Sequence, residues 1–230
     1  MNLLAPIHTI FTWLFAMMVS VSPISQHTAE TEAEATARYE SIAQDVVEVV
    51  FDESQKPLFD GADGRIKTAA VMIGIDYFES NYRKDVDVGS LRGDNNGSWC
   101  LAQINLGGSR IKVNDDGSFS YFEWRSADGW SGKDLVSDRK KCFKAQLAIL
   151  RTSFKCDVRE DFKLNRYASG VCDKGGQASF VRMALARKFW NQTQLKDDET
   201  FVFLKEQKKH LLSLESALIF VQSHVLYLTP

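Results

Sequence analysis

The chain has 230 residues, which is enough for one well-packed domain with extensions and barely enough for two. Its hydrophobic content of 44% and charged content of 25% are ordinary for a globular protein. A formal net charge of −2 gives no electrostatic basis for nucleic-acid binding, so we expect no nucleic-acid partner.

An apolar run, Ile10–Val21, precedes the first positive charge, Arg38. The run is too short for a comfortable transmembrane span, which needs roughly 20 apolar residues. Small residues at Ser20 and Ser22 suit cleavage of a secretory signal, although the usual basic segment before the run is missing. We expect residues 1–27 to be a signal or anchor segment, and we favour export over an uncleaved anchor or a start codon placed too early.

Two helices are predicted next. Residues 28–37 are rich in Glu, Thr and Ala and indicate a solvated lead-in, and helical spacing of apolar residues begins at Tyr39. We take residues 28–65 as an N-terminal helical extension. A second helix, from about Ile66 to Tyr82, is apolar on most sides and should therefore be buried.

The following segment predicts a small β element. Residues 83–108 are irregular and rich in Gly, Asp and Asn. A β-hairpin is predicted from residues 111–113 and 119–124, around the turn at residues 114–117. This acidic turn lacks the later ligand of a helix–loop–helix calcium site, so we expect a plain turn and no metal.

The remaining segments predict helices. Ser131 and Asp134 form a capping-box-like start to a strong helix, and another helix is predicted over 177–190. Residues 200–228 indicate an amphipathic helix rather than a membrane span, because charged residues interrupt them. Residues 191–230 are thus a C-terminal helical extension of unknown role. The predicted fold class is α+β, mainly α, with a small β-hairpin.

All the cysteines lie in the central part of the chain. Their even number suits two disulfides in an oxidising compartment, with three connectivities open. They contain no Cys-X-X-Cys pair, and their spacings match no zinc signature. The disulfide candidates are Cys100, Cys142, Cys156 and Cys172.

The histidines exclude several chemistries. None lies between positions 28 and 209. Ser-His-Asp and Cys-His catalysis need an imidazole beside the nucleophile, and zinc hydrolases normally need imidazole ligands. Any catalysis in the central region must therefore use carboxylates, amides, hydroxyls or main-chain groups, and we expect no cofactor.

Glu79 is the strongest catalytic candidate. Glycoside cleavage needs a carboxylic acid that stays protonated near neutral pH, and burial at the end of an apolar helix is one way to achieve this. Glu79 follows Ile75, Tyr77 and Phe78 near the end of the predicted buried helix. The competing interpretation is a solvated acid at a helix end.

Three motifs share this order and spacing with a known superfamily. Ser80 directly follows Glu79, Gln103 closes a Gly-X-X-X-Leu-X-Gln-Ile pattern 24 positions later, and Tyr167 opens a Tyr-Ala-Ser-Gly segment. Together they resemble the sugar-cleft framework of lytic transglycosylases and goose-type lysozymes. The likeness covers roughly residues 66–188, and part of it is similar to a bacterial and phage subgroup.

The resemblance implies a lysozyme-like domain over residues 66–190 that cuts the MurNAc-GlcNAc β-1,4 bond of peptidoglycan with a single catalytic Glu, here Glu79. It implies that Gln103 contacts the sugar N-acetyl region and that the Tyr167 hydroxyl points at the catalytic carboxyl. The implied substrate-binding set is Ser80, Ser98, Gln103, Asn105 and Tyr167. Two departures affect the cleft geometry: Ala102 replaces the usual Met, and Ala168-Ser169 replaces Asn-Ala.

A second carboxylate would separate two chemistries. An inverting lysozyme needs a base roughly 6.5–9.5 Å from the acid. Asp85, Asp87 and Asp94 lie in the loop after Glu79 and are the candidates, although acidic residues in such loops usually serve turns. A lytic transglycosylase needs no base, because its Glu takes the proton of the sugar C6 hydroxyl and closes a 1,6-anhydro ring. We favour the transglycosylase.

The expected partner is therefore the peptidoglycan glycan strand, bound by a periplasmic or secreted monomer that contacts a membrane only through an uncleaved N-terminal segment. Two alternatives stay open: a hydrolytic goose-type-like lysozyme and a catalytically silent glycan-binding module. The aromatic residues that are candidates either for sugar stacking or for the core are Trp99, Tyr121, Trp124 and Trp130.

Overall fold

A computed structural model describes residues 9–107, 110–113, 119–122, 125–193, 195–202 and 204–206. Within these ranges the fold is α+β and mainly α, as predicted. The α-helices are α1 Thr9–Val21, α2 Glu32–Val50, α3 Gly64–Ser80, α4 Lys84–Asp87, α5 Gly132–Ser137, α6 Arg139–Phe154, α7 Asn165–Ser169 and α8 Gly176–Trp190. The strands are β1 Ser98–Trp99, β2 Ile104–Asn105, β3 Arg110–Val113 and β4 Phe119–Phe122.

Helix α2 begins earlier than the apolar spacing indicates. The Thr31 hydroxyl accepts from the Glu34 amide and the Glu34 carboxylate accepts from the Thr31 amide, which forms a capping box. This cap starts the helix at Glu32, within the segment that we predicted to be a solvated lead-in. The prediction of helix start from the apolar stripe alone was therefore wrong by about two turns.

Helix α1 packs into the same hydrophobic core as α2 and α3. Ile10, Leu14 and Met18 are buried against this core, which also includes Tyr39. The end of the helix is held by polar contacts, since the buried Tyr39 hydroxyl lies 3.0 Å from the carbonyl oxygen of Ser22. No helix in the described part of the chain is long and apolar enough to span a membrane.

Helix α3 is the buried helix that the sequence predicts. Its closest helical neighbour is α8, where a Cβ added to Gly74 would lie 3.7 Å from the Cβ of Ala186. The first turn of α3 is capped by a residue that lies far along the sequence. The Asp197 carboxylate accepts from the amides of Arg65 and Ile66 at 2.8 and 3.1 Å. Burial outweighs these hydrogen bonds and raises the pKa of Asp197.

The single helix predicted after Ser131 is divided into α5 and α6. The capping box of Ser131 and Asp134 is confirmed. Asp138 then takes an extended conformation and its side chain accepts from the Lys140 amide, which ends α5 and starts α6. The Asp side chain competes with the helical backbone for hydrogen bonds, so a continuous apolar stripe does not guarantee one helix.

In the described part of the chain the β structure consists of two antiparallel pairs. Strands β1 and β2 pair Ser98 with Asn105, and strands β3 and β4 pair Arg110 with Phe122. The second pair confirms the predicted hairpin, while its turn at residues 114–117 lies outside the described residues. The first pair falls in a segment that we predicted to be irregular, because two-residue strands carry no alternating pattern.

Both predicted disulfides are present. Cys100 pairs with Cys142, which joins the turn after β1 to helix α6, and Cys156 pairs with Cys172, which joins the end of α6 to the loop before α8. This pattern selects one of the three connectivities. Two disulfides are compatible with an extracellular or periplasmic location.

The C-terminal segment is described as far as residue 206. Residues 197–202 are helical, in agreement with the predicted extension, and Asp197 connects them to the start of α3. The remainder of the predicted amphipathic helix, residues 207–228, lies outside the described residues.

Candidate functional site

Glu79 lies in the last turn of α3 and forms an ion pair. Its Oε1 atom accepts a hydrogen bond from Nη2 of Arg182 at 2.7 Å. The side chains are only 21% and 14% exposed, so solvent screens this pair less than a surface pair. Glu79 is thus partly shielded from water while it keeps access to the surface. Its role as a catalytic acid stays a prediction.

Helix packing explains how Arg182 reaches Glu79. Gly74 lies against Ala186 and Glu79 against Arg182, so α3 and α8 run in opposite directions. The guanidinium also lies over the Phe78 ring, 5.2 Å from the centroid, which fixes its plane. Its buried Nε atom has no hydrogen-bond partner among the described residues, and such a donor is one that a water or ligand oxygen can use.

Tyr167 lies on α7, which packs against α6 and α8. Its hydroxyl donates to the carbonyl oxygen of Ala102 at 2.6 Å, which ties α7 to the loop between β1 and β2. The pKa of Tyr167 is raised well above its ordinary value, first by burial and then by the negative charge of Glu79. The tyrosine therefore lies within electrostatic range of Glu79, whereas its hydroxyl is hydrogen-bonded to the loop.

A second acid, Asp76, lies one turn before Glu79. It is fully buried, and its Oδ1 accepts from Nε2 of Gln146, on α6, at 2.8 Å. Burial raises the pKa of Asp76 well above the ordinary value, and the charge of Glu79 adds to this effect. Asp76 and Gln146 thus extend the polar cluster from Glu79 into the core.

The segment from Asp94 to Asn105, which contains strands β1 and β2, is held together by internal hydrogen bonds. The Asp94 carboxylate accepts from the Ser98 hydroxyl at 2.6 Å and from the Asn105 amide at 2.9 Å, which brings together two predicted substrate-binding residues across β1 and β2. Ser98 is buried and Asn105 is exposed, so of the two only Asn105 presents much surface to a ligand. Sugar contact by either residue stays a prediction.

Gln103 stabilises the same loop. Its Oε1 atom accepts from the Gly93 amide at 2.9 Å, and its Nε2 atom donates to the Cys100 carbonyl at 3.0 Å. The residue itself adopts a left-handed φ of 46°, which shows how tightly the loop turns. Both halves of the amide are therefore engaged within the loop, and the predicted contact with a sugar stays untested.

Ser80 makes its hydrogen bonds within the protein, at the end of α3. It is buried, its hydroxyl donates to the Asp76 carbonyl, and the same oxygen accepts from the Tyr82 amide. These bonds close the end of α3 before the left-handed residue Asn81. The Glu-Ser motif thus fixes the helix end that presents Glu79.

The candidate second carboxylates have other partners. Asp87 is buried and forms a bidentate pair with Arg139, whose guanidinium also binds Asp45. Asp85 pairs with the neighbouring Arg83, and Asp94 holds the β1–β2 loop. None of these three has a hydrogen bond or ion pair with Glu79 in the described contacts.

The aromatic residues that are candidates for sugar stacking differ in how far their rings are covered by other side chains. The Trp99 ring is covered by the Arg92 guanidinium at 4.2 Å and packs against Gly132, where any side chain would collide with the indole. Trp99 is therefore a packing residue. Trp130 lines a cavity of about 330 Å³. Trp124 and the side chain of Tyr121 lie outside the described residues.

Two surface cavities, of about 330 and 390 Å³, do not include Glu79. The first is lined mainly by charged residues, most of them on α2 and α6, where Lys140 pairs with Glu48. The second is lined by residues of α2, α4, α5 and α6, and its Arg139 pairs with Asp45 and Asp87. We give more weight to the Glu79 cluster, because charge, burial and unpaired polar atoms converge there. The described residues contain no group of His, Cys, Asp and Glu arranged to hold a metal ion.

Sequence reasoning missed Asp76, Gln146 and Arg182. Asp76 and Gln146 interrupt otherwise apolar helix faces, a signal that was present but resembles ordinary polar substitutions. The pairing of Arg182 with Glu79 spans 103 positions and has no local signal. No protein-family model, curated protein or solved structure matches the chain. The resemblance therefore rests on the motif residues alone.

Proposed function

We propose that this protein is a lytic transglycosylase that cleaves the glycan strands of peptidoglycan with Glu79 as the acid and base. The observation that supports this most is the position of Glu79, a part-buried carboxyl at the end of a buried helix that is paired with Arg182 and lies within electrostatic range of Tyr167. These three residues come from three different helices, and convergence of charged and polar groups is typical of a site.

The residues have complementary tasks in such a reaction. Glu79 would give a proton to the glycosidic oxygen and then, as a carboxylate, accept the proton of the C6 hydroxyl. Arg182 would stabilise the carboxylate that forms between these two steps. Phe78, which is 40% exposed and adjacent to Glu79 in the chain, would offer a sugar ring the part of its surface that the Arg182 guanidinium leaves uncovered.

The pairing of the other acids supports the transglycosylase over the hydrolase. A base for water would need to be free and at a suitable distance from Glu79. Asp87 is committed to Arg139 and Asp94 to the loop that carries Ser98. A mechanism with a single carboxylate requires none of them.

A digest of purified peptidoglycan with the full chain tests the proposal. Mass spectrometry of the soluble fragments should find termini of 1,6-anhydro-N-acetylmuramic acid. Reducing-end muramic acid would instead indicate a hydrolytic lysozyme. If the folded protein sediments with insoluble peptidoglycan but releases no fragments, the proposal is wrong and a silent binding module is favoured.

A further inference from the structure

Asp76 and Gln146 are hydrogen-bonded to each other, and each also has a buried oxygen without a partner among the described residues. Asp76 Oδ1 accepts from Gln146 Nε2, whereas Asp76 Oδ2 and Gln146 Oε1 have no partner among the described residues. Asp76 and Gln146 are both fully buried. Because buried polar atoms normally have a partner, this pair needs an explanation.

One proton on Asp76 satisfies both oxygens. A carboxylate and an amide oxygen are both acceptors, so they cannot bond to each other. A carboxylic acid and a primary amide can form two bonds, one from the amide N–H to the acid carbonyl and one from the acid O–H to the amide oxygen. The first of these bonds is present at 2.8 Å, and the unpaired atoms are the two that the second would join.

The surroundings favour the neutral acid. Burial is the main cause of the raised pKa of Asp76, and the charges of Glu79 and Asp87 raise it further. The titratable groups that face Asp76 from its own helix and the elements packed on it are Glu79, Tyr82, Asp87 and Tyr167. None of these groups carries a positive charge, and the two tyrosine hydroxyls donate to the carbonyls of Ile73 and Ala102. The guanidiniums of Arg182 and Arg139 pair with Glu79 and Asp87 rather than with Asp76.

Gln146 connects this acid to the site. Its Nε2 atom donates to Asp76 and also to the Met72 carbonyl at 3.3 Å, so Gln146 ties α6 at two points to α3, the helix that carries Glu79. We propose that Asp76 keeps its proton at neutral pH and that the Asp76–Gln146 pair positions the end of α3 that carries Glu79. The positioning role rests on the proposed function, whereas the protonation of Asp76 does not.

Infrared difference spectroscopy tests the proton directly. The full chain at neutral pH should show the C=O stretch of a protonated buried carboxyl, and the band should be absent from Asp76→Asn. A spectrum of the wild type without that band, or a band that persists in Asp76→Asn, would overturn the inference. This measurement decides the protonation of Asp76 even if the protein cleaves no glycan.

Glycan cleavage tests the positioning role. Asn has nearly the same shape as the neutral acid and carries no charge, so Asp76→Asn should keep kcat within about threefold of the wild type. Asp76→Ala leaves Gln146 without its partner and should lower kcat at least tenfold with little change in KM, while circular dichroism shows a folded protein. Equal losses in the two variants would refute the role. A wild type that cleaves nothing would refute the proposed function instead.

Discussion

Arg182 and Glu79 lie 103 positions apart in the chain and 2.7 Å apart in the structure, between Nη2 and Oε1. The contact links α8 to the last turn of α3 and places a positive charge beside the proposed acid. In the proposed reaction this charge would stabilise the carboxylate that Glu79 becomes after it donates its proton.

Replacing Arg182 should therefore lower the rate of glycan cleavage. In Arg182→Gln the neutral amide no longer stabilises that carboxylate, so kcat should fall by roughly tenfold or more. Lys188→Gln removes the same charge from an exposed position on the same helix and should leave the rate unchanged. Equal losses in both variants would mean that net charge, not this ion pair, determines the rate.

The packing of α1 gives a prediction about stability. Leu14 is fully buried, so Leu14→Ala should lower the free energy of unfolding of the full chain by about 2–5 kcal/mol. Thr12, exposed on the same helix, is the matched control, and Thr12→Ala should change stability little. Urea unfolding measures both. If Leu14→Ala is as stable as the wild type, α1 does not pack on the core in solution.

His27 should make the stability of the α1–α2 contact depend on pH. Its ring nitrogen lies 2.6 Å from the Tyr39 hydroxyl and 3.1 Å from the Ser22 hydroxyl. Burial, followed by the charge of Arg38, lowers the pKa of His27 below its ordinary value of 6.5. The unfolded chain therefore binds a proton first, and stability should fall as the pH drops below about 6.5.

The measurement compares the pH dependence of unfolding for the wild type and His27→Gln. The variant has no imidazole to protonate, so its stability should decline less between about pH 7 and pH 5.5. A decline of the same size in both proteins would show that other groups cause it.

The two disulfides should contribute unequally to stability. They close loops of 42 and 16 residues, and the chain-entropy model gives about 4 and about 3 kcal/mol for loops of these lengths. Cys100→Ala/Cys142→Ala should thus lower the unfolding free energy more than Cys156→Ala/Cys172→Ala. Mass spectrometry of a non-reduced digest should first find the Cys100–Cys142 and Cys156–Cys172 peptides, and any other pairing would contradict the structure.

The sequence predicts helices best where one strong local signal determines them. The unbroken apolar character of α3 and the Ser131 capping box both predict what the structure has. The start of α2 at Glu32 was missed because a cap, not the apolar stripe, sets it. Asp138 divides α5 from α6 by a side-chain cap that an apolar pattern does not reveal.

The candidate site was predictable only in part. Local motifs single out Glu79 and Tyr167, and the structure places them near each other. The partners of Glu79 depend on the packing of α3 against α6 and α8, which no local pattern encodes. Gln103 and Ser80 show the reverse problem, since motif residues expected at the substrate have their hydrogen bonds within the protein.

The most direct test of the central claim is the rate of peptidoglycan cleavage by Glu79→Gln and by Glu40→Gln, an exposed replacement of the same kind on α2. Both variants should give the circular dichroism spectrum of the wild type. We predict that Glu79→Gln releases no soluble fragments above background, while Glu40→Gln retains the wild-type rate. Cleavage by Glu79→Gln at more than a trace of the wild-type rate would contradict the assignment of Glu79 as the catalytic acid.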